Sequence, residues 1–344
     1  MTTPAPNLDG RGSVINGAQL AQLVDNRSVF NIVDFKQARF EEVAAKIGPL
    51  KAHRLILDHA SFDKHIVIEV QADHVSCVGT RFHYGATLRL NGGVVDATDA
   101  IFGTTSSIST SLAWGEPCQP RLVSLRGVDV SNLVLVDVDL SLCLFAGSHR
   151  LDQLRLEDRT RFGSPPDNWR WARRQVLAEE SITRGWIDVP DAFPLRWERL
   201  AALYRSLRKA FEDGKNEAGA GDFYYGEMEA RRHSTLTSRA EKLILWVYWL
   251  LSGYGQRAGR AVAALGVLVA VVCVLLFTVG LPGQLVWTGT RVDQALRIGM
   301  GAVVFREAGQ ALTSAGNWTV MVARFAGPVL LALAVLAIRA RVKR

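Results

Sequence analysis

Residues Val128 to Glu157 read VDVSN LVLVD VDLSL CLFAG SHRLD QLRLE when cut into fives. The first place of successive blocks holds Val128, Leu133, Val138 and Cys143, and the third holds Val130, Leu135, Leu140 and Phe145. Asp129 and Asp139 fall between them, and the third place slips at Arg150 and Arg155. A half-buried strand alternates with period two and an amphipathic helix repeats every 3.6 residues, so a period of five needs another geometry. A square solenoid supplies it. Each five-residue block makes one side, the large residue of the third place points to the axis, and the first place joins it in the core. The remaining places face water, and successive coils stack through backbone hydrogen bonds as neighbouring strands do.

Earlier fragments fit the same rule. Ala38-Arg39-Phe40, Ala60-Ser61-Phe62, Thr80-Arg81-Phe82 and Ala86-Thr87-Leu88 each carry a small residue two places before a large apolar one. With these fragments the chain resembles the pentapeptide-repeat family from about Phe30 to Glu157. The resemblance implies a mainly β fold, a right-handed quadrilateral β-helix. Two stretches, Ile47 to Leu57 and Gly103 to Arg121, break the period and are expected to be loops or imperfect coils. Some members of that family imitate DNA with an acidic surface, a role that the near-neutral charge of this part of the chain argues against.

Working outward, the composition sets bounds. The chain has 344 residues, of which 49% are hydrophobic and 21% charged, which excludes a disordered chain; its 30 glycines follow no collagen period. Residues 1 to 254 carry 30 basic and 31 acidic groups, and residues 255 to 344 carry 10 and 2. The net charge of +7 therefore belongs to the tail. Its cations flank apolar runs instead of forming a patch on a folded domain, so no nucleic-acid partner is expected.

Two of those runs are long enough to cross a bilayer. Residues 261–281 (AVAALGVLVAVVCVLLFTVGL) are free of charge, and at about 1.5 Å per residue they cover the hydrocarbon layer. Residues 318–338 form a second span that contains Arg324 and Pro328. Arg257 and Arg260 precede the first run, while Arg339, Arg341, Lys343 and Arg344 follow the second, which predicts an inner-membrane protein with both termini in the cytoplasm. Between the spans, residues 295–310 are too short to cross and read as an interfacial or re-entrant segment. Residues 241–256 read as an interfacial helix anchored by Trp246, Tyr248, Trp249 and Tyr254.

The organisation that follows is an N-terminal segment (1–29), the solenoid (30–160), a linker with a helical hairpin (161–240) and the membrane region (241–344). In the hairpin, Leu200, Leu203, Tyr204, Leu207 and Phe211 form one stripe ending at Gly214. A second helix begins after Gly221 with Phe223, Tyr224, Tyr225 and Met228; Glu227, Glu229, Arg231 and Arg232 read as its solvated face. The run from Leu203 to Ala258 resembles bacterial membrane proteins, actinobacterial in flavour, that join pentapeptide repeats to such a hairpin.

The layout of the tail is also faintly similar to two-span potassium channels, with Ala295 to Phe305 in the place of the pore helix. A potassium filter lines the pore with the backbone carbonyls of TVGYG. This chain has Phe305-Arg306-Glu307-Ala308-Gly309-Gln310 there, which leaves Arg306, Glu307, Gly309 and Arg324 as polar candidates for a pore of another kind. No phosphate loop, HExxH, GxSxG or dinucleotide fingerprint occurs. Cys77, Cys118, Cys143 and Cys273 lack metal spacing, and His65, His74 and His83 lack helical pairing, so neither metal nor cofactor is expected. The expected partners are the lipid bilayer and an unidentified protein. The first expectation is a non-enzymatic, membrane-anchored scaffold; the alternative is a two-span, channel-like homo-oligomer.

Overall fold

The computed structural model describes residues 5–16, 29–41, 46–166, 174–282, 289–303 and 312–342. The chain divides into two compact units, Met1–Ala230 and Arg231–Arg344.

The first unit is a parallel β-solenoid of about 6 turns, closed by helices. One sheet stacks Leu8–Asp9, Val29–Asp34, Lys46–Ile56, Ile66–Ser76, Ala86–Leu90, Ser106–Thr110, Leu133–Val136 and Arg155–Glu157 in chain order. A second sheet stacks Val14–Ile15, Arg39–Phe40, Ser61–Phe62, Arg81–Phe82 and Ile101–Phe102. Every pairing in both is parallel, so each coil places equivalent residues directly over those of the coil before. The consequence inside is a phenylalanine ladder. Phe40 stacks on Phe62 at 4.4 Å, Phe62 on Phe82 at 5.1 Å and Phe82 on Phe102 at 5.4 Å, all with nearly parallel rings. These offset ring stacks add to the area that each phenylalanine buries.

The corners repeat as faithfully as the sides. Gln37, His59, Gly79 and Asp99 all take positive φ, and each donates its N–H to the next coil, to Asp58, Val78, Thr98 and Arg126 respectively. Gly79 and Asp99 tolerate that left-handed corner at low cost, and the repeated inter-coil hydrogen bond holds Gln37 and His59 in it. Val130, Leu135, Leu140 and Phe145 are buried, as are Val128, Leu133, Val138 and Cys143.

Two interruptions take forms that the period alone conceals. Residues 47–57 are not a loop. Lys46–Ile56 is one of the two longest strands, paired with Ile66–Ser76 over most of its length, with a register shift between Ile47 and Leu50 around Gly48-Pro49. The period fails there because the strand runs straight through the place where a short side would turn. The stretch 103–121 contains the strand Ser106–Thr110, followed by an excursion that returns when the Cys118 N–H donates to Asn91 Oδ1 at 2.7 Å.

The last coils pass their core to helices α1 (Ala178–Thr183), α2 (Trp197–Asp213) and α3 (Glu217–His233). Phe145 stacks on Phe162, and Phe162 meets Phe211 and Phe223. The hydrophobic cluster is continuous from Ile15 to Ala230. The stripe Leu200, Tyr204, Leu207 and Phe211 is buried in it, with Leu203 partly buried. Helix α3 begins at Glu217, ahead of the Gly221 start that the sequence suggested. Gly226 lies against the Tyr204 ring: a Cβ there would sit 2.4 Å from it, so the close approach of α2 and α3 depends on glycine.

The second unit is helical. Helix α4 (Arg239–Ser252) is opened by Ser238, whose Oγ accepts the Glu241 N–H at 3.2 Å, and is closed by Gly253 in the left-handed region. Helix α5 (Ala258–Leu275) continues into a π turn over Leu276–Gly280. Helices α6 (Gly289–Val303) and α7 (Ser314–Val342) follow.

Candidate functional site

Among the described residues two helices are long and apolar enough to cross a membrane: Ala258–Gly280, with 23 residues, and Ser314–Arg339, with 26. Their apolar side chains point outward. Only 11% of the apolar window of the first and 28% of the second are buried inside the protein. Val267, Val274, Phe325 and Val329 are each more than half exposed. A helix at the core of a soluble protein buries most such residues, and these two leave most of theirs exposed.

The bend that returns the chain satisfies its own backbone. A π turn leaves carbonyls without their usual donors. Arg291 supplies two of the donors, Nε to the Phe277 carbonyl at 3.2 Å and Nη2 to the Leu281 carbonyl at 3.1 Å. Thr313 supplies the next, through Oγ1 to Val279 at 2.7 Å and its N–H to Gly280 at 2.9 Å. Away from water each unsatisfied carbonyl is costly, so Arg291 and Thr313 let the turn persist at the end of this apolar helix. Gly280 and Gly316 touch there; a Cβ on Gly316 would sit 2.6 Å from the Gly280 carbonyl oxygen.

The polar residues proposed for a pore meet different outcomes. Arg306, Glu307 and Gly309 lie outside the described residues, and Arg324 is half-buried on α7. The apolar piece beginning at Ala295 belongs to a longer helix, α6, which starts at Gly289 and buries Ala295, Ile298, Gly299 and Ala302. Of the ring anchors, Trp246 is exposed on α4, while Tyr248 and Trp249 are partly buried. Tyr254 is the correction: it is fully buried, at positive φ, with its ring edge-on to Tyr248. It packs into the α4–α5 corner and is not an exposed anchor. Leu243, Ile244, Val247 and Leu250 are exposed instead and form a stripe at helical spacing along α4.

The solenoid unit holds a buried charged cluster that the sequence did not announce. Glu227 and Glu229 read as solvated helix charges, yet both are buried. Glu227 pairs with Arg205 and Arg208 at 2.9 and 3.0 Å, and Glu229 with Arg184 at 3.3 Å. At the centre Glu180 accepts from Arg174 at 2.5 Å, from Arg184 at 2.7 Å and from the Tyr204 hydroxyl. Burial alone pushes Glu180 up, but Arg174 and Arg184 outweigh it and hold the carboxylate below its ordinary value. The same burial, with Glu180 adjacent, pushes the Tyr204 hydroxyl well above its ordinary value.

Next to it in sequence, Glu179 shifts the other way. Its Oε1 accepts the N–H of Phe145 and, at 3.0 Å, that of Ala146, pinning α1 to the solenoid. Its Oε2 has no hydrogen-bond partner among the described residues. Burial raises it to about 7.

Burial raises the Cys77 thiol to about 12, and burial with Glu179 nearby raises Cys143 well above its ordinary value, so both are protonated thiols. His65 bonds the Tyr84 carbonyl and Thr87 Oγ1, and His74 and His83 are exposed. Among the described residues no three His, Cys, Asp or Glu side chains form a group that could hold a metal. No protein-family profile, curated protein or solved structure matches the chain.

Proposed function

We propose that the protein is a membrane-anchored scaffold of the bacterial inner membrane. In this reading its pentapeptide-repeat-like solenoid stands in the cytoplasm and binds a protein partner without catalysing a reaction. The observation that carries the reading is the pairing of outward-facing apolar side chains on α5 and α7 with a stacked solenoid whose regular coils give a rigid, repetitive surface. The net charge of residues 1 to 254, −1, and the cations flanking both spans favour the cytoplasmic side. Cross-linking in intact cells, followed by recovery of the tagged full-length protein, tests it. A stoichiometric partner lost on replacing exposed solenoid residues supports the scaffold; repeated recovery of the chain alone in native lipid contradicts it.

A second reading, ion conduction by an oligomer, is favoured by one observation. Helix α6 lies between the two long helices in sequence and buries one face in a cluster that includes Val272 of α5 and Ala323 of α7. Purified protein that passes no current in planar bilayers at any voltage or salt removes this reading.

A further inference from the structure

The larger sheet of the solenoid ends on an open edge. Its last strand, Arg155–Glu157, pairs on one side only, with Leu133–Val136. Across that pair the Glu157 carbonyl accepts the Asp137 N–H. Successive residues of a strand turn their N–H and carbonyl groups to opposite sides, so Leu156, between Arg155 and Glu157, directs its own to the open edge. Among the described residues no group outside the sheet bonds either of them. The last turn of α2 stands across from this edge, and a cleft of about 470 Å³ lies between the two. Ala210, Asp213 and Gly214 line it from α2, and Leu154 and Leu156 line it from the solenoid. That volume is typical of a ligand pocket, and a strand of three residues is only about 10 Å long. The cleft therefore admits a few residues of extended peptide but not another sheet.

Charge selects among peptides. Asp152 at the rim is paired with Lys209 at 2.8 Å, whereas Glu157 and Asp213 are exposed and have no ion-pair partner among the described residues. With Arg155 counted against one of them, a carboxylate remains uncompensated, and the C-terminal end of α2 adds the negative end of its dipole. We propose that this cleft binds an extended basic peptide of the protein partner, which adds a strand to the sheet beside Arg155–Glu157. The backbone of the added strand bonds the Leu156 N–H and carbonyl. Its alternate Lys or Arg side chains reach Glu157 and Asp213, and the side chain between them turns toward Leu154 and Leu156. A second copy of the chain suits the edge less well, since the same edge brings another Glu157 and Asp213, and the opposite end of the sheet, Leu8–Asp9, brings Asp9. The proposal rests on the scaffold reading and names the class of partner that it lacks.

Fluorescence anisotropy of the full-length protein in a neutral detergent, titrated with fluorescein-labelled seven-residue peptides, tests it. The probes are an alternating lysine–valine peptide, an alternating glutamate–valine peptide, and the lysine–valine peptide with its backbone amides methylated. The wild type is expected to bind the first at least about tenfold more tightly than either of the others. The double variant Glu157→Lys with Asp213→Lys is expected to lose that preference, and Asp73→Lys, at an exposed position elsewhere on the solenoid, is expected to keep it. No binding of the lysine–valine peptide at millimolar concentration overturns the proposal. Equal binding of the glutamate peptide or of the methylated peptide does the same, as does a preference unchanged in the double variant. Self-association of the wild type that the double variant abolishes also overturns it, because a second copy then fills the edge. If the double variant fails to fold, the three peptides on the wild type decide. A partner that cross-links equally to the wild type and to the double variant refutes this cleft and leaves the scaffold standing.

Discussion

Glu179 makes the stability of the solenoid unit depend on pH in a direction opposite to most paired carboxylates. Its folded value is about 7, against 4.5 ordinarily, because burial penalises the charge more than the Phe145 and Ala146 N–H groups and the nearby Arg126 favour it. Between those values the folded chain holds a proton that the unfolded chain has released. This contribution is therefore fully favourable below about pH 4.5, falls as pH rises, and levels off above about pH 7. At about 1.4 kcal/mol per unit, the loss amounts to about 3 kcal/mol. Glu179→Gln keeps an oxygen for the two N–H donors and cannot ionise. Urea unfolding of the full-length protein in detergent, followed by far-ultraviolet circular dichroism at several pH values, isolates the effect as the difference between variant and wild type. The variant is expected to match the wild type near pH 4 and to exceed it by about 3 kcal/mol near pH 8. A variant that is destabilised equally at every pH refutes the reasoning, because Glu179 would then be acting as an ionised, paired carboxylate.

Three other outcomes follow from the geometry. Phe62→Ala removes the rung that stacks on both Phe40 and Phe82, and it is expected to cost about 3–5 kcal/mol in the same unfolding assay. Gly316→Val places side-chain atoms against the Gly280 carbonyl and is expected to lower the thermal midpoint in detergent, whereas Gly266→Ala, with open space around it, is expected to be tolerated. In a maleimide time course on the native protein, exposed Cys118 is expected to react first, with buried Cys77 and Cys143 labelled only after denaturant is added.

What the sequence made legible was the part of the fold set by local repetition. Val130, Leu135, Leu140 and Phe145 recur every five residues because each side of a coil must aim one large residue at the same axis, and all four are buried. The α2 stripe was legible for the same reason at helical spacing, and the two long apolar helices needed only length and composition. What stayed hidden depends on contacts distant in sequence. Glu227 and Glu229 look solvated on a helix wheel and are buried by Arg205, Arg208 and Arg184, which arrive from elsewhere in the chain. Glu179 and Glu180 are neighbours of one residue type that shift in opposite directions: burial raises Glu179 past what two backbone N–H groups offset, while two arginines hold Glu180 down. Tyr254 carries the composition of an interfacial anchor, yet the left-handed turn after α4 folds it inward. The strand Lys46–Ile56 was missed because a straight strand obeys the sheet register and not the five-residue period.

Topology tests the central claim most directly. A reporter active only in the cytoplasm and one active only in the periplasm are each fused after Gly289 and, separately, after Arg344 of the full-length chain. The account predicts periplasmic activity at Gly289 and cytoplasmic activity at Arg344. The same compartment at both sites, or a full-length chain that stays soluble without detergent, contradicts it.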